Sequence, residues 1–306
     1  MRDPANVVTA AEPGRIYAAC CVLLVSPLAE KAWIACLQQA ADHARKILVR
    51  HRAGESLYLE HPDDTIVVVT ESDALNELGV RYFAVIMSGL AAEAEAADRD
   101  PWLDVVQVSR AAAVSGLLPG ERTAFFLERN AREAQDQFVC FEGVVVAVPS
   151  EAIRAAQAAN EGRGAGPLAI YVDGPVPELG ARAHWNADVF VYGKGSSAQL
   201  PSELDLTGIP RLLVSGPHIY VPPGIWQITA RFSVDTEAAG HRYRLEWGDL
   251  DSFTSFDFQP TSPGVYEATI KHEWTAVTFA ELRFVLMESA LGGALVFIEA
   301  EIERIG

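Results

Sequence analysis

The sequence predicts a two-part fold, with an α/β or α+β domain in the N-terminal half and an all-β sandwich over roughly the last hundred residues. From about residue 204 to the end, apolar and polar side chains alternate with a period of two, and no helical pattern interrupts them. Before that point, apolar residues recur at both helical and strand spacings, which is typical of strands alternating with helices.

The C-terminal strands are predicted from this alternation. In residues 224–234 one parity carries Trp226, Ile228 and Phe232, while the other carries Gln227 and Thr229. Such a strand has one buried face and one solvated face. The same period returns at residues 241–247, 265–271, 281–287 and 294–302.

The N-terminal half mixes both periods. Apolar residues at helical spacing predict helices over residues 27–50, 80–97 and 123–137, and a further helix that begins at residues 149–150 and runs to 159. Short β-branched or apolar runs predict strands at residues 65–70, 138–148, 168–172 and 188–192.

Glycine-rich segments divide the chain. A turn or hinge is expected at residues 161–167, and a polar linker at residues 193–201 leads into the sandwich. We therefore predict an assembly domain over residues 1–162, a connecting segment with short strands over 163–202, and the sandwich over 203–306.

Composition narrows the classes of partner. The 306 residues are 50% hydrophobic and 21% charged, which is a globular composition, and the formal net charge is −17 with acidic excess in both halves. A phosphate backbone and an anionic membrane both attract basic surfaces. Neither nucleic acid nor a membrane is therefore an expected partner.

Four cysteines, Cys20, Cys21, Cys36 and Cys140, lie in the N-terminal half without CxxC spacing. They predict buried thiols, with no disulfide framework and no zinc site. Residues 16–25 are apolar as in a signal peptide, but acidic Asp3 and Glu12 precede them. We expect synthesis in the cytoplasm without an export signal, because a secretory leader begins with basic residues.

The short runs that resemble nucleotide-binding motifs lack the neighbouring residues or elements that those motifs require, and common catalytic motifs are missing from the sequence. The glycines at 162, 164 and 166 precede a predicted strand instead of joining a strand to a helix, and the Gly-Lys-Gly-Ser run at 193–196 lacks the first glycine of a phosphate loop. The seven histidines include no HxxxH pair, and there is no GxSxG elbow.

Two Asp-x-Asp pairs remain open to several interpretations. Asp98 with Asp100 and Asp249 with Asp251 have the spacing that nucleotide-sugar glycosyltransferases use for a divalent ion. Asp249 and Asp251 follow a predicted strand and could supply oxygen ligands to Ca²⁺. A solvated turn is the favoured interpretation of both pairs, because such a short motif occurs by chance in a chain with 41 acidic residues.

Aromatic residues suggest a sugar site, because flat C–H faces of sugars stack on Trp and Tyr rings. Strand parity places Trp226 in the core, and Trp247 with it. Trp274, Tyr220 and Trp185 lie among polar neighbours or beside turns and are predicted exposed contacts. The alternative is that these rings cover the end of the sandwich.

The C-terminal third resembles the jelly-roll, carbohydrate-binding-module-like domains attached to surface and glycan-related proteins, on the strand and turn pattern of residues 216–231, 243–248, 264–266 and 297–304. The two-part chain is also similar to head-spike and fibre proteins of phages and of phage-derived gene transfer agents. That resemblance implies an N-terminal anchor on the particle and a sandwich that touches capsular polysaccharide. A repetitive shaft is missing from the sequence, which favours a compact knob.

The sequence therefore predicts a non-enzymatic carbohydrate-binding or adhesion protein, with His218, Tyr220, Trp185 and Trp274 as sugar contacts and possible Ca²⁺ at Asp249 and Asp251. The expected partners are surface or capsular polysaccharide, particle structural proteins and further copies of the chain in a homo-oligomer. Two alternatives remain: a glycan-active enzyme in which acidic residues such as Asp98, Asp100 and Asp173 converge, and a purely structural assembly protein.

Overall fold

A computed structural model describes residues 17–25, 27–87, 101–127, 136–149, 166–193 and 200–306. The chain forms two compact units, one from Met1–Ser88 and Leu117–Glu161 and the other from Gly89–Gly116 and Gly162–Gly306. Within the described residues, no helix is both long and apolar enough to cross a membrane.

The N-terminal unit contains a parallel five-stranded sheet in the order β2-β3-β1-β4-β5 and a separate hairpin of β6 and β7. Every residue of β3 is buried, which is typical of parallel strands covered on both faces. Its elements are β1 (Tyr17–Leu24), α1 (Pro27–His43), β2 (Ile47–His51), β3 (Thr65–Val69), α2 (Ser72–Leu75), β4 (Val80–Met87), β5 (Glu121–Leu127), β6 (Gln137–Phe141) and β7 (Val144–Ala147).

The predicted strands at 65–70 and 138–148 are confirmed, but three helix predictions are wrong in part. Residues 80–87 and 123–127 form strands, and α1 ends at His43, so that Ile47 begins a strand. A strand buried on both faces has a continuous apolar run, and such a run also matches a helical stripe. The remaining residues 88–97 and 128–135, and the helix predicted over 150–159, lie outside the described residues.

The C-terminal unit is an antiparallel β-sandwich, as predicted. One sheet, here the first sheet, has the order β10-β17-β12-β15, with β8 also paired to β17; the second sheet has the order β14-β13-β16-β11-β9. Its elements are α3 (Pro101–Ser115), β8 (Arg182–Asn186), β9 (Val191–Tyr192), β10 (Leu204–Asp205), β11 (Arg211–Val221), β12 (Gly224–Val234), β13 (Tyr243–Gly248), β14 (Phe253–Phe258), β15 (Gly264–Trp274), β16 (Thr278–Leu286) and β17 (Ala294–Arg304).

The residues predicted to connect the two parts belong largely to this sandwich. β8 pairs with β17 and β9 pairs with β11, so each extends one of the two sheets. The strand predicted at 168–172 is instead a short 3-10 helix, Ala169–Tyr171, and only the end of the predicted strand at 188–192 is extended. These corrections follow from non-local pairing, which short apolar runs do not reveal.

Aromatic rings fill the space between the two sheets. Phe232 of the first sheet contacts Phe284 of the second edge to face, with ring centroids 4.8 Å apart. Trp226 is fully buried, as parity predicts, and its indole N–H donates to the carbonyl of Pro222 over 3.1 Å. Trp247 is also fully buried. Along β12 and β15 the core therefore takes one parity and leaves the other parity on the outer face.

Candidate functional site

Strand β16 carries the most unusual outward residues of the sandwich. Leu282 and Phe284 point into the core and are fully buried, whereas Glu281 and Arg283 have the opposite parity. A carboxylate and a guanidinium therefore lie on the outside of the second sheet, which we call the β16 face.

Register across the sheet defines the rest of this face. Glu281 lies level with Gly248 on β13 and Pro217 on β11, and Phe253 pairs with Gly248 on the far side. One step along, Arg283 lies level with Glu246 and Ser215. Because directly opposite residues share a face, these groups form two adjacent rows.

Glu281 is held as a buried carboxylate. Only 4% of the residue is exposed, and the Ser215 hydroxyl donates to Oε1 over 2.7 Å. The Arg283 guanidinium donates to Oε2 over 2.7 Å, and Nε2 of His218 lies 3.6 Å from Oε1. Burial acts to raise the pKa of Glu281, but these donors outweigh it and lower the pKa to about 2.

Arg283 joins this carboxylate to an aromatic ring. Its guanidinium carbon lies 4.0 Å from the centre of the Phe253 ring, and Nη1 lies 3.9 Å from a carboxylate oxygen of Glu246. The side chain is 24% exposed. Ion pairing and cation–π contact together fix its position, so a donor is held at the surface in one orientation.

Three rings extend the face along β16 and β11. Phe279 lies between Tyr220 and His218, with centroid distances of 5.9 and 5.7 Å, and both contacts are edge to face. All three side chains are partly exposed. This cluster, here the Phe279 cluster, places ring faces beside the polar pair of Glu281 and Arg283.

The bulged course of β11 positions two of these rings. The register shifts between Pro217 and Ile219, and the residue between them, His218, has a φ of 65°. A bulge redirects a side chain, and here it turns the His218 ring toward Glu281.

The backbone of Tyr220 is held from two sides. Its N–H donates to the Ser109 hydroxyl of α3 over 2.9 Å, and its carbonyl accepts from the Tyr171 hydroxyl over 2.6 Å. The Arg110 guanidinium also lies 5.7 Å from the centre of the Tyr220 ring. The ring is therefore set in place by structure outside the sheet.

Of the predicted sugar contacts, the structure brings His218 and Tyr220 together and separates the other two. The expectation that Trp274 and Trp185 are exposed is wrong, since they are only 4% and 0% exposed. Trp274 lies against Trp247 in the core with centroids 5.1 Å apart, and the Trp185 indole N–H donates to the carbonyl of Pro167. Trp274 and Trp185 therefore follow the alternative interpretation, in which these rings are structural and cover the end of the sandwich.

Asp249 and Asp251 lie in the hairpin between β13 and β14. One oxygen of Asp249 accepts the backbone N–H groups of Asp251 and Ser252, each over 3.0 Å, which closes the turn. In the described part of the chain, no group of three or more His, Cys, Asp or Glu side chains could hold a metal ion. The residues present fit a turn better than a cation site, and Ca²⁺ binding stays a prediction.

The acidic residues of the enzyme alternative do not supply a described cleft. Asp173 is exposed after a short 3-10 helix, and Asp98 and Asp100 lie outside the described residues.

Several residues of the β16 face were not predicted. Alternation in residues 278–286 could have placed Glu281 and Arg283 outside and flagged a carboxylate among apolar neighbours. Phe253 and Phe279 carried no local signal, since their association depends on the order of strands in the sheet.

Chemically, this face offers ring surfaces for apolar contact beside oriented charged groups. Arg283 can donate hydrogen bonds to a ligand, and the ionised Glu281, whose oxygens already accept from Ser215 and Arg283, holds it in position. The opposite charges of Glu281 and Arg283 offset each other, so the face suits a neutral polar ligand better than a strongly charged one.

No protein-family model matches the sequence, and no curated protein matches it. Among solved structures the chain is similar to TmCBM61 in complex with β-1,4-galactotriose, at 12% identity and a TM-score of 0.28, over 42% of this chain and 90% of that one. It is also similar to the CBM22-1 xylan-binding domain from Paenibacillus barcinonensis Xyn10C, at 11% identity and a TM-score of 0.29, over 42% and 97% of the two chains. A third is the carbohydrate binding module CBM6cm-2 from Cellvibrio mixtus lichenase 5A, at 13% identity and a TM-score of 0.22, over 40% and 98%.

Proposed function

We propose that the sandwich binds carbohydrate on its β16 face and that the protein is a non-enzymatic glycan-binding or adhesion protein. The observation that carries the proposal is the Phe279 cluster beside the buried Glu281 and the partly exposed Arg283. Sugar rings combine apolar C–H faces with hydroxyl groups, and this surface offers a matching combination.

The geometry favours binding over catalysis. A general acid must carry a proton near neutral pH, and the lowered pKa of Glu281 keeps it ionised there. Both of its oxygens already accept hydrogen bonds from Ser215 and Arg283. The carboxylate therefore serves best to position Arg283 and His218 toward a ligand.

The ligand class follows from charge and shape. The face extends from Phe253 on β14 to Phe279 on β16, a span of roughly 12 Å by strand spacing and rise. An oligosaccharide that is neutral or weakly charged fits this length and the offsetting charges. The protein carries a net charge of −17, so an anionic capsule gains no electrostatic attraction from it.

The same proposal includes a role for the N-terminal unit in assembly. An N-terminal unit that assembles several copies on a larger particle, such as a phage-like one, raises avidity for a repeating surface polysaccharide. Weak binding by a single shallow site is sufficient in that arrangement.

The test is binding of the full chain to an array of surface polysaccharides and oligosaccharides, followed by titration of the best ligand. Phe279→Leu keeps an apolar side chain but removes the ring face, and we expect it to weaken binding about tenfold or more. Phe256→Leu is the matched control, since Phe256 lies at the edge of the sandwich away from this face, and it should bind as the unchanged protein does.

Absence of binding across the array, or unchanged affinity in Phe279→Leu with an unchanged melting temperature, contradicts the proposal. Sedimentation of the full chain supplies a further outcome. If the β16 face is buried between copies of the chain in solution, the surface is an assembly contact, and the purely structural alternative replaces sugar binding.

A further inference from the structure

A pocket of about 390 Å³ opens at the edge of the sandwich where β14 and β15, the edge strands of the two sheets, come together. It is separate from the β16 face. Its walls are mainly aromatic: Phe232, Phe256, Phe258 and Tyr266. The volume falls in the range of small-molecule sites.

The rings that line the pocket pack against one another. Phe232 is 1% exposed and forms the inner wall, tilted by 46° from Phe258 and within 18° of parallel to Tyr266. Phe256 is tilted by 41° from Phe258, with centroids 5.6 Å apart. These rings contact one another and together form one aromatic wall of the pocket.

Apart from Glu267, each polar side chain that lines this pocket makes a hydrogen bond within the protein. The Tyr266 hydroxyl donates to the Ser262 carbonyl over 2.6 Å, and the Gln259 amide donates to the Gly240 carbonyl. The Thr269 hydroxyl shares a hydrogen bond of 2.9 Å with Thr229. A ligand rich in hydroxyl groups would therefore leave many of them without partners, which disfavours a sugar here.

The charge at the rim is negative. Glu267 contributes a carboxylate that is 66% exposed, and it forms an ion pair with Arg231 at 4.0 Å, whereas Arg231 lies closer to Glu299, at 3.4 Å. Among the described residues that line the pocket, none is Lys, Arg or His. Aromatic faces attract cations through their quadrupole, and an acidic rim adds to that attraction.

We propose that this pocket binds a quaternary or alkylated ammonium group, such as the trimethylammonium head of choline. Such a group is apolar on its surface, carries positive charge and needs no hydrogen bond, so it matches rings whose polar neighbours are occupied. The proposal does not depend on sugar binding by the β16 face.

The first experiment compares choline with 3,3-dimethylbutan-1-ol, a neutral analogue of the same shape, by calorimetric titration of the full chain. We expect millimolar binding of choline, about three- to tenfold tighter than the neutral analogue. Equal affinity for the two compounds, or no choline binding at tens of millimolar, overturns the proposal.

Two substitutions refine the test. Phe256→Leu keeps the apolar volume but removes one ring face, and we expect choline binding to fall about fivefold or more. Glu267 is exposed, so Glu267→Gln should not disturb the fold. We expect a smaller loss of choline affinity in this variant, and high salt should weaken choline binding to the unchanged protein in the same way. Phe279→Leu is the control, with choline affinity unchanged.

If Phe256→Leu lowers the melting temperature, the test rests on Glu267→Gln and on the comparison of choline with its neutral analogue. Unchanged choline affinity in Glu267→Gln at low salt, together with no preference over the neutral analogue, rejects the cation site. If the unchanged protein binds choline but no glycan, the glycan proposal has failed and the ammonium proposal stands. If it binds a glycan but not choline, the reverse holds.

Discussion

The two outer faces of the sandwich differ in how their polar groups are used. On the first sheet, Thr229 bonds to Thr269 and Arg231 lies between Glu267 and Glu299, all on directly paired strands. These are cross-strand pairs at the surface, where each pair contributes little and is screened by salt.

On the second sheet the β16 face buries its central charge. Glu281 is 4% exposed, and its partners come from three positions on β11 and β16, including one redirected by a bulge. Partly exposed rings flank it. Burial of a charge is costly unless its partners are fixed, so this face has a preorganised polar centre and the first sheet has a solvated one.

The largest effect should come from the core that supports both faces. Trp226→Ala removes a fully buried ring and should lower the free energy of unfolding by about 3 to 5 kcal/mol. Urea denaturation followed by circular dichroism measures this. Ile225→Ala, at a more exposed neighbouring position, is the control and should cost far less. Equal losses in the two variants would contradict the assignment of Trp226 to the core and Ile225 to the surface.

Removal of a carboxylate should lower the free energy of unfolding more on the β16 face than on the outer face of the first sheet. Glu281→Ala leaves Arg283 and the Ser215 hydroxyl without their acceptor and should cost about 3 kcal/mol. Glu299→Ala, its counterpart on the first sheet, should cost less than about 1 kcal/mol. Chemical denaturation of the two variants checks the difference, and similar losses would show that the faces are equivalent.

Low pH should also destabilise the protein through the β16 face, because protonation of Glu281 removes its charged contacts. The pKa of Glu281 is lowered from 4.5 to about 2 in the folded protein, so its contribution is complete above pH 4.5 and is lost as the pH falls through 2. That contribution is as much as about 3 kcal/mol. Stability measured from pH 6 to pH 2 should fall less steeply in Glu281→Gln than in the unchanged protein, and identical slopes would assign the acid sensitivity to other groups.

The smallest effect should come from the solvated pairs. Thr229→Val or Arg231→Gln on the first sheet should change the free energy of unfolding by less than about 1 kcal/mol, because water and salt replace these contacts. Melting temperatures at low and high salt measure it. A loss comparable to that of Glu281→Ala would show that the first sheet also has a preorganised centre.

Local alternation was enough to predict β12, β13, β15, β16 and β17 and the burial of Trp226, because antiparallel strands with one wet face repeat every two residues. It did not predict β8, β11 and β14, which the structure adds to the two sheets. The parallel sheet was only partly predictable. Residues 80–87 are apolar on both faces, and that pattern does not distinguish a strand from a buried helix.

The amino-acid sequence alone determined the class of the C-terminal half, its acidity and the core parity of its strands. Alternation in β15 also places Trp274 in the core, because it shares the parity of the buried Ala268 and Ile270. Tertiary structure decided which rings meet at the surface: Phe279 joins Tyr220 and His218 across two strands. Strand order and the bulge in β11 set these contacts. Because they join residues distant in sequence, no local period records them.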